Sequence, residues 1–124
     1  FMTNQLYKGG DIHLLNEALS QNNVVILLSD QDAKNKGAMV KFFNIDSSTH
    51  SGAAILSKRK QCPLIYSSIT KINDSYEVKF DEINTNNSVT DIVQSYTSKI
   101  EKTIVKAPEQ YFWFHKRWKS VRKY

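Results

Sequence analysis

Two carboxylates follow the most apolar run of the sequence, and they are its best candidates for polar chemistry. Residues 24–28 (VVILL) form an unbroken run typical of a strand buried on both faces, and Asp30, Gln31 and Asp32 come next. Ligands of α/β sheets bind beyond the carboxyl ends of strands, so these residues are candidates to border a substrate site. Asp30 and Asp32 could equally cap a turn by accepting hydrogen bonds from backbone N–H groups, and both interpretations stay open.

The histidines are weaker candidates for catalysis or metal binding. His13 precedes Glu17 by four residues, which is the spacing of a pair on a helix surface or of half a metal site. No second histidine or cysteine stands at ligand spacing, so we favour the surface pair and predict neither a metal nor a cofactor. The single cysteine, Cys62, excludes an internal disulfide, so the fold does not need an oxidising compartment.

The C-terminal segment 108–119 concentrates aromatic and basic side chains. It holds five large aromatic residues and three cations. Pro108 suits the first turn of a helix, so the sequence predicts a helix over this segment, with Tyr111 and Phe114 packed against the rest of the protein. The residues predicted to contact a membrane or an acceptor molecule are Trp113, His115, Lys116, Arg117, Trp118 and Lys119.

The positive charge of the chain is concentrated at the same end. The formal net charge is +5, and residues 108–124 contribute five basic residues but one acidic residue. A basic stripe interleaved with aromatic side chains favours an anionic lipid surface and, less well, single-stranded nucleic acid. The longest apolar run is far shorter than a membrane span, so any membrane contact would be peripheral. The alternative is that the segment forms only a solvated C-terminus.

Helices and strands alternate along the chain, which we expect to form a single domain over residues 1–124. Apolar residues recur at helical spacing in three segments, and two apolar strands flank a turn at residues 73–75. The predicted helices cover residues 12–19, 52–60 and 92–105, and the predicted strands cover residues 24–28, 39–43, 63–71 and 76–80. This order predicts an α/β fold in which the first strand is buried in a sheet.

Four clusters of residues occur in a characteristic order. They are Asp30-Gln31-Asp32; Gly37 with Val40 and Phe42-Phe43; Thr49 with Gly52-Ala53; and Pro108-Glu109-Gln110-Tyr111 with Trp113, His115, Arg117 and Lys119. Together they resemble the C-terminal half of the lipid A biosynthesis acyltransferases, and the resemblance covers nearly the whole chain. It implies the C-terminal part of a glycerolipid-acyltransferase-like mixed sheet flanked by helices. The substrate-site or supporting residues that it implies are Asp30, Gln31, Asp32, Thr49 and Gly52.

The same resemblance implies an activity, a location and partners. The enzyme would lie on the cytoplasmic face of the inner membrane, against its anionic lipid surface, and nucleic acid is not an expected partner. It would transfer a fatty acyl chain from acyl carrier protein to a hydroxyl of a lipid A precursor. The alternative is a stand-alone basic-aromatic module that binds an anionic membrane surface or single-stranded nucleic acid.

The catalytic motif of that family is missing from this sequence. The family uses a His followed, after four intervening residues, by an Asp or Glu, in which the imidazole removes the hydroxyl proton and the acid orients the imidazole. His13 is followed by Glu17, one position too early, and neither His50 nor His115 has an acid at the required offset. We therefore expect no catalytic residue here, a motif upstream of Phe1, and a fragment that is inactive alone.

Overall fold

The computed structural model describes residues 12–123 and confirms the α/β class. Three α-helices and four β-strands occur in these residues, together with two short 3-10 helices at Lys34–Lys36 and Pro108–Gln110. In chain order they are α1 (Ile12–Ser20), β1 (Ala38–Phe42), β2 (Ile45–Thr49), α2 (Gly52–Lys60), β3 (Leu64–Ile72), β4 (Ser75–Ile83) and α3 (Val89–Lys106). The sequence also predicts that Asp11, just before α1, caps this helix, and Asp11 lies outside the described residues. No helix among the described residues is long and apolar enough to cross a membrane.

The strands form two separate antiparallel hairpins, β1–β2 and β3–β4, where the sequence predicted one mixed sheet. The β3–β4 hairpin and its turn were predicted, and Asn73 supplies the positive φ (53°) that a tight turn needs. The partnership of β1 with β2 was not predicted. Its turn is formed by Phe43 and Asn44, both at positive φ (50° and 59°), and a bulky aromatic residue rarely adopts that conformation.

Helix α3 organises the core. Its N-terminus is capped by Ser88, whose Oγ accepts a hydrogen bond from the Asp91 N–H at 3.2 Å. One face of the helix buries Ile92, Val93 and Tyr96 against residues from β1, α2 and β4. Each of the two hairpins is therefore fastened to the same helix, which sets where the loops around residues 30–34 and 49–52 lie.

The predicted buried strand at residues 24–28 is not formed. The segment has no strand hydrogen-bonding pattern, and the side chains of Val24, Ile26 and Leu28 are 87%, 80% and 86% exposed. A strand needs a neighbour to pair its backbone groups, and none of the described strands pairs with this segment. Helix α1 is also less buried than its apolar stripe predicted, since none of its residues is buried.

The predicted helix over residues 108–119 is wrong as well. Only Pro108–Gln110 is helical, as one 3-10 turn, and Tyr111 takes an extended conformation with φ −86° and ψ 140°. The remainder of the segment consists of turns. Hydrogen bonds from its side chains to distant parts of the fold replace the helical pattern that local propensity favours.

Candidate functional site

Arg117 lies inside the protein and fastens the C-terminal segment to strand β2. Its side chain is 2% exposed, and Nη1 donates to Ser47 Oγ at 2.5 Å and to the Ser48 carbonyl oxygen at 2.8 Å. Nη2 donates to Thr49 Oγ1, and the guanidinium carbon lies 5.0 Å from the centre of the Phe42 ring. Burying a guanidinium is costly unless hydrogen bonds replace its water, and these contacts do so. The prediction that Arg117 is a surface cation is therefore wrong.

Asp32 makes the second connection between the C-terminal segment and the fold. Its carboxylate accepts hydrogen bonds from the Lys34 N–H at 2.8 Å, the Ser120 N–H at 3.0 Å and the Ser120 hydroxyl at 2.7 Å. Burial raises the pKa of this carboxyl, but the bonds from Ser120 and Lys34, with the positive charge of Arg117, outweigh it, so the pKa lies below its ordinary value. Asp32 is therefore held as an anion.

His115 and Tyr111 complete the connection. The Asp32 N–H donates to His115 Nε2 at 3.0 Å, and the Tyr111 hydroxyl donates to the Asp30 carbonyl oxygen at 3.0 Å. The resulting group of polar side chains is called the tail cluster below. Its members are Asp32, Ser47, Ser48, Thr49, His115, Arg117 and Ser120.

The predicted site residues divide into two groups. The structure brings Asp32, Thr49, His115 and Arg117 together in the tail cluster, from three separate stretches of sequence. It does not bring Gln31 or Gly52 there: Gln31 is exposed, and a Cβ atom placed at Gly52 would meet nothing within 4 Å. Since the Asp32 carboxylate and the Nη1 and Nη2 atoms of Arg117 are occupied by contacts within the protein, the cluster positions the backbone around it.

Aromatic rings pack over the tail cluster. Phe42 is 1% exposed, and its ring centre lies 5.4 Å from that of Trp118 and 6.3 Å from that of Tyr111. Trp118 is thus part of the packing of the protein, and Tyr111 packs inward as predicted. Phe114, which was also predicted to pack, is 90% exposed.

A large apolar groove begins next to the tail cluster. Its volume is about 770 Å³, and Asp30 and Tyr111 belong to its wall. Most of the wall comes from residues 22–29, α2, β3 and α3, including Leu27, Leu56, Ile69, Ile100 and Ile104, and α1 and β4 add a few residues. Residues 24–28, which were predicted to form a strand, therefore form one side of this groove, and Asp30 is the single carboxylate that the described residues contribute to its wall.

The remaining candidates have no assembled chemistry. His13 and Glu17 are exposed on α1, away from the tail cluster and the groove. Across residues 12–123, no three His, Cys, Asp or Glu side chains converge as ligands for a metal ion.

Comparison with known protein families shows which family the chain belongs to. The family model described as bacterial lipid A biosynthesis acyltransferase matches residues 2–120. The chain belongs to this family. A search of curated proteins gave no significant match. The predicted resemblance is confirmed, and the chain is related to acyltransferases of lipid A biosynthesis.

Within this acyltransferase-family chain, sequence reasoning missed three hydroxyl residues of the tail cluster. Ser47, Ser48 and Ser120 supply contacts to Arg117 and Asp32 from positions about 70 to 90 residues away, as the sequence separations of 69, 70 and 88 show. Serine is common in loops and at strand ends, so its type carries no signal. The opposite charges of Asp32 and Arg117 were the one available hint that the two residues lie near each other.

Proposed function

We propose that this chain forms the C-terminal part of an enzyme that transfers a fatty acyl chain from acyl carrier protein to a hydroxyl of a lipid A precursor. The observation that carries the proposal is the family match over residues 2–120. The groove supports it, because an acyltransferase must shelter a long apolar chain next to polar groups. Acyl carrier protein and the lipid A precursor are the partners that the proposal requires.

The groove has the size and lining that an acyl chain needs. Its volume of about 770 Å³ falls within the range of about 300–1,000 Å³ found for small-molecule sites. Burial of each methylene in such surroundings is worth about 0.8 kcal/mol, so a chain of about ten methylenes would gain several kcal/mol even if partly covered. Leu27, Ile69 and Ile100 supply apolar wall from three different elements.

In this proposal Asp30 acts on the polar end of the bound substrate. It is the carboxylate of the groove wall, and the bond from Tyr111 to its carbonyl oxygen fixes its backbone. We assign Asp30 the role of orienting the acceptor hydroxyl or the base that deprotonates it. Asp32 is a positioning residue, since its carboxylate is taken up by Lys34 and Ser120.

The proton of the acceptor hydroxyl has to be removed by a base outside these 124 residues. The positions that would carry the acid of a His-x4-Asp/Glu pair hold Ala18, Ile55 and Ser120. None of them can orient an imidazole as a carboxylate does. The 124 residues alone are therefore expected to transfer no acyl group.

Acyl transfer tests the proposal directly. The complete natural gene product and the 124 residues are each mixed with acyl-loaded carrier protein and a lipid A precursor, and products are measured by mass spectrometry. We expect acylation by the gene product alone, with Asp30→Asn lowering its rate roughly 10–100-fold. Asp74→Asn, in an exposed turn, is the matched control and should leave the rate unchanged.

Two results would contradict the proposal. The first is a gene product that binds carrier protein and precursor but acylates neither this precursor nor its close analogues. The second is acyl transfer by the 124 residues alone that disappears with His13→Ala, because His13 would then be the base.

A further inference from the structure

Three consecutive aromatic side chains project from the C-terminal segment into solvent. Phe112, Trp113 and Phe114 are 62%, 47% and 90% exposed and are called the aromatic tip below. Isolated exposed apolar residues are ordinary, but here the Phe112 and Phe114 ring centres lie 5.9 Å apart, and the neighbouring Trp113 ring packs on Tyr111 while staying 47% exposed. Exposed rings grouped in this way typically mark an interaction surface.

The structure holds the aromatic tip away from the core. The residues on either side of it, Tyr111 and His115, point inward and are bonded to the loop at residues 30–32. The Trp113 ring nitrogen donates to the Pro108 carbonyl oxygen at 2.6 Å, and the His115 N–H closes a turn by donating to the Phe112 carbonyl oxygen at 3.2 Å. Because both ends of the aromatic tip are fixed, binding to a partner would cost little additional conformational entropy.

The surroundings of the aromatic tip are positively charged. Lys116, Lys119, Arg122 and Lys123 are exposed in the residues that follow it, and Glu109 is the single acid from residue 108 onward. Arg117 does not belong to this surface because it is buried in the tail cluster. The partner of the tip therefore combines negative charge with an apolar interior that can receive rings.

We propose that the aromatic tip inserts into the interfacial layer of an anionic lipid bilayer, with Lys116, Lys119, Arg122 and Lys123 facing the lipid headgroups. Aromatic rings prefer the interfacial layer of a bilayer, and basic side chains next to them reach the charged headgroups. A single-stranded nucleic acid is a poorer fit, because it needs rings spaced along a groove and here three rings share one turn. This docking surface does not depend on acyl transfer.

Trp113 provides a direct reporter of insertion. The chain has two tryptophans, so Trp118→Phe leaves Trp113 as the sole tryptophan. On vesicles that contain phosphatidylglycerol, Trp113 emission should shift to shorter wavelength and be quenched by brominated acyl chains. Vesicles of phosphatidylcholine alone should produce neither change.

Substitutions separate the aromatic tip from the rest of the surface. Phe112→Ser with Phe114→Ser should weaken vesicle co-sedimentation about tenfold or more, and Lys116→Glu with Lys119→Glu should do the same. Tyr76→Ser, on exposed β4 where Tyr76 is 68% exposed and lies outside the groove wall, and Arg59→Glu with Lys102→Glu are matched controls that should leave binding unchanged. Circular dichroism of every variant establishes that the fold is retained.

The proposal is overturned by any of three results. One is equal binding to neutral and anionic vesicles, and another is unchanged binding after the double Phe substitution in a folded protein. The third is tight binding of a single-stranded oligonucleotide with no vesicle binding. Because none of these experiments measures acyl transfer, they succeed or fail independently of the proposed enzyme activity.

Discussion

Gly37 shows how closely single residues are fitted around the tail cluster. A Cβ atom at this position would lie 2.6 Å from both the Ala33 Cβ and the Thr49 carbonyl oxygen, and would also collide with Ser48 Oγ. Gly52 belongs to the same predicted site region, yet a Cβ there would meet nothing within 4 Å. The two glycines therefore differ in what they do for the fold, although the sequence marks both.

Replacing each glycine by alanine tests this difference. Gly37→Ala should lower the free energy of unfolding by about 1–3 kcal/mol, because backbone and side chains around residue 48 have to move. Gly52→Ala, in the first turn of α2, should leave stability unchanged or raise it by up to about 1 kcal/mol, since alanine favours helix. Urea denaturation of both variants measures the two effects. Equal losses would show that the close approach at Gly37 is not what matters.

At the residue scale, the sequence showed which residues belong to the tail cluster better than it showed what each of them does there. Asp32, Thr49, His115 and Arg117 were all named as candidates, and the structure brings them together. Nothing in the local sequence distinguishes Arg117 from its neighbours Lys116 and Lys119. Its burial depends on hydroxyl and carbonyl groups of β2 about 70 residues away, and such contacts have no local signature.

At the scale of elements, the contact between the C-terminal segment and the loop at residues 30–34 is the one that we expect to be sensitive to pH. It depends on the Asp32 carboxylate, whose pKa is lowered from 3.8 by its hydrogen bonds and by Arg117, against the opposing effect of burial. A carboxyl with a lowered folded-state pKa stabilises the fold fully above its ordinary pKa. That contribution is lost as the pH falls through the lowered value.

Acid should therefore weaken the contact between the C-terminal segment and this loop and lower the free energy of unfolding. Between pH 7 and pH 5 the contribution of Asp32 to stability should be constant, and below about pH 4 it should fall as the carboxylate is protonated. Asp32→Asn should cost about 1.5–3 kcal/mol at pH 7 and make stability less sensitive to acid. Asp74→Asn is the exposed control. Thermal melts of the unsubstituted chain and of the two variants from pH 3 to pH 7 measure this effect. The prediction is contradicted if the melting temperature of Asp32→Asn falls with acid as steeply as that of the unsubstituted chain.

Elements with strong local signals were predicted and those that depend on distant partners were not. The periodicity of α3 and the Asn73 turn of β3–β4 both gave the observed elements. The run at residues 24–28 has the composition of a buried strand, but composition cannot supply the neighbour that a strand needs. The turn at Phe43 was missed because phenylalanine is not a turn residue. There the Phe43 N–H donates to Glu101 of α3 at 2.7 Å, which helps to hold the unusual conformation.

At the scale of the whole molecule, the sequence predicted the α/β class and the family, whereas the groove came from the structure. The groove is bounded mainly by α2, α3, β3 and segment 22–29, with smaller contributions from α1 and β4, and these elements are spread along the chain. No local sequence pattern predicts the distances in space between such elements. We propose above all that the groove receives the acyl chain while Tyr111, next to the tail cluster, holds the Asp30 backbone at its edge.

Binding of a fluorescent long-chain fatty acid to the purified chain tests that claim most directly. Ile69 lines the groove and Ile12 does not, yet both side chains are 67% exposed, so they form a matched pair. We predict saturable binding that unlabelled palmitate displaces, weakened about tenfold or more by Ile69→Glu, because a charge beside the acyl chain is costly. Ile12→Glu should leave it unchanged. Absence of saturable binding, or equal weakening by the two substitutions in folded proteins, would contradict the claim.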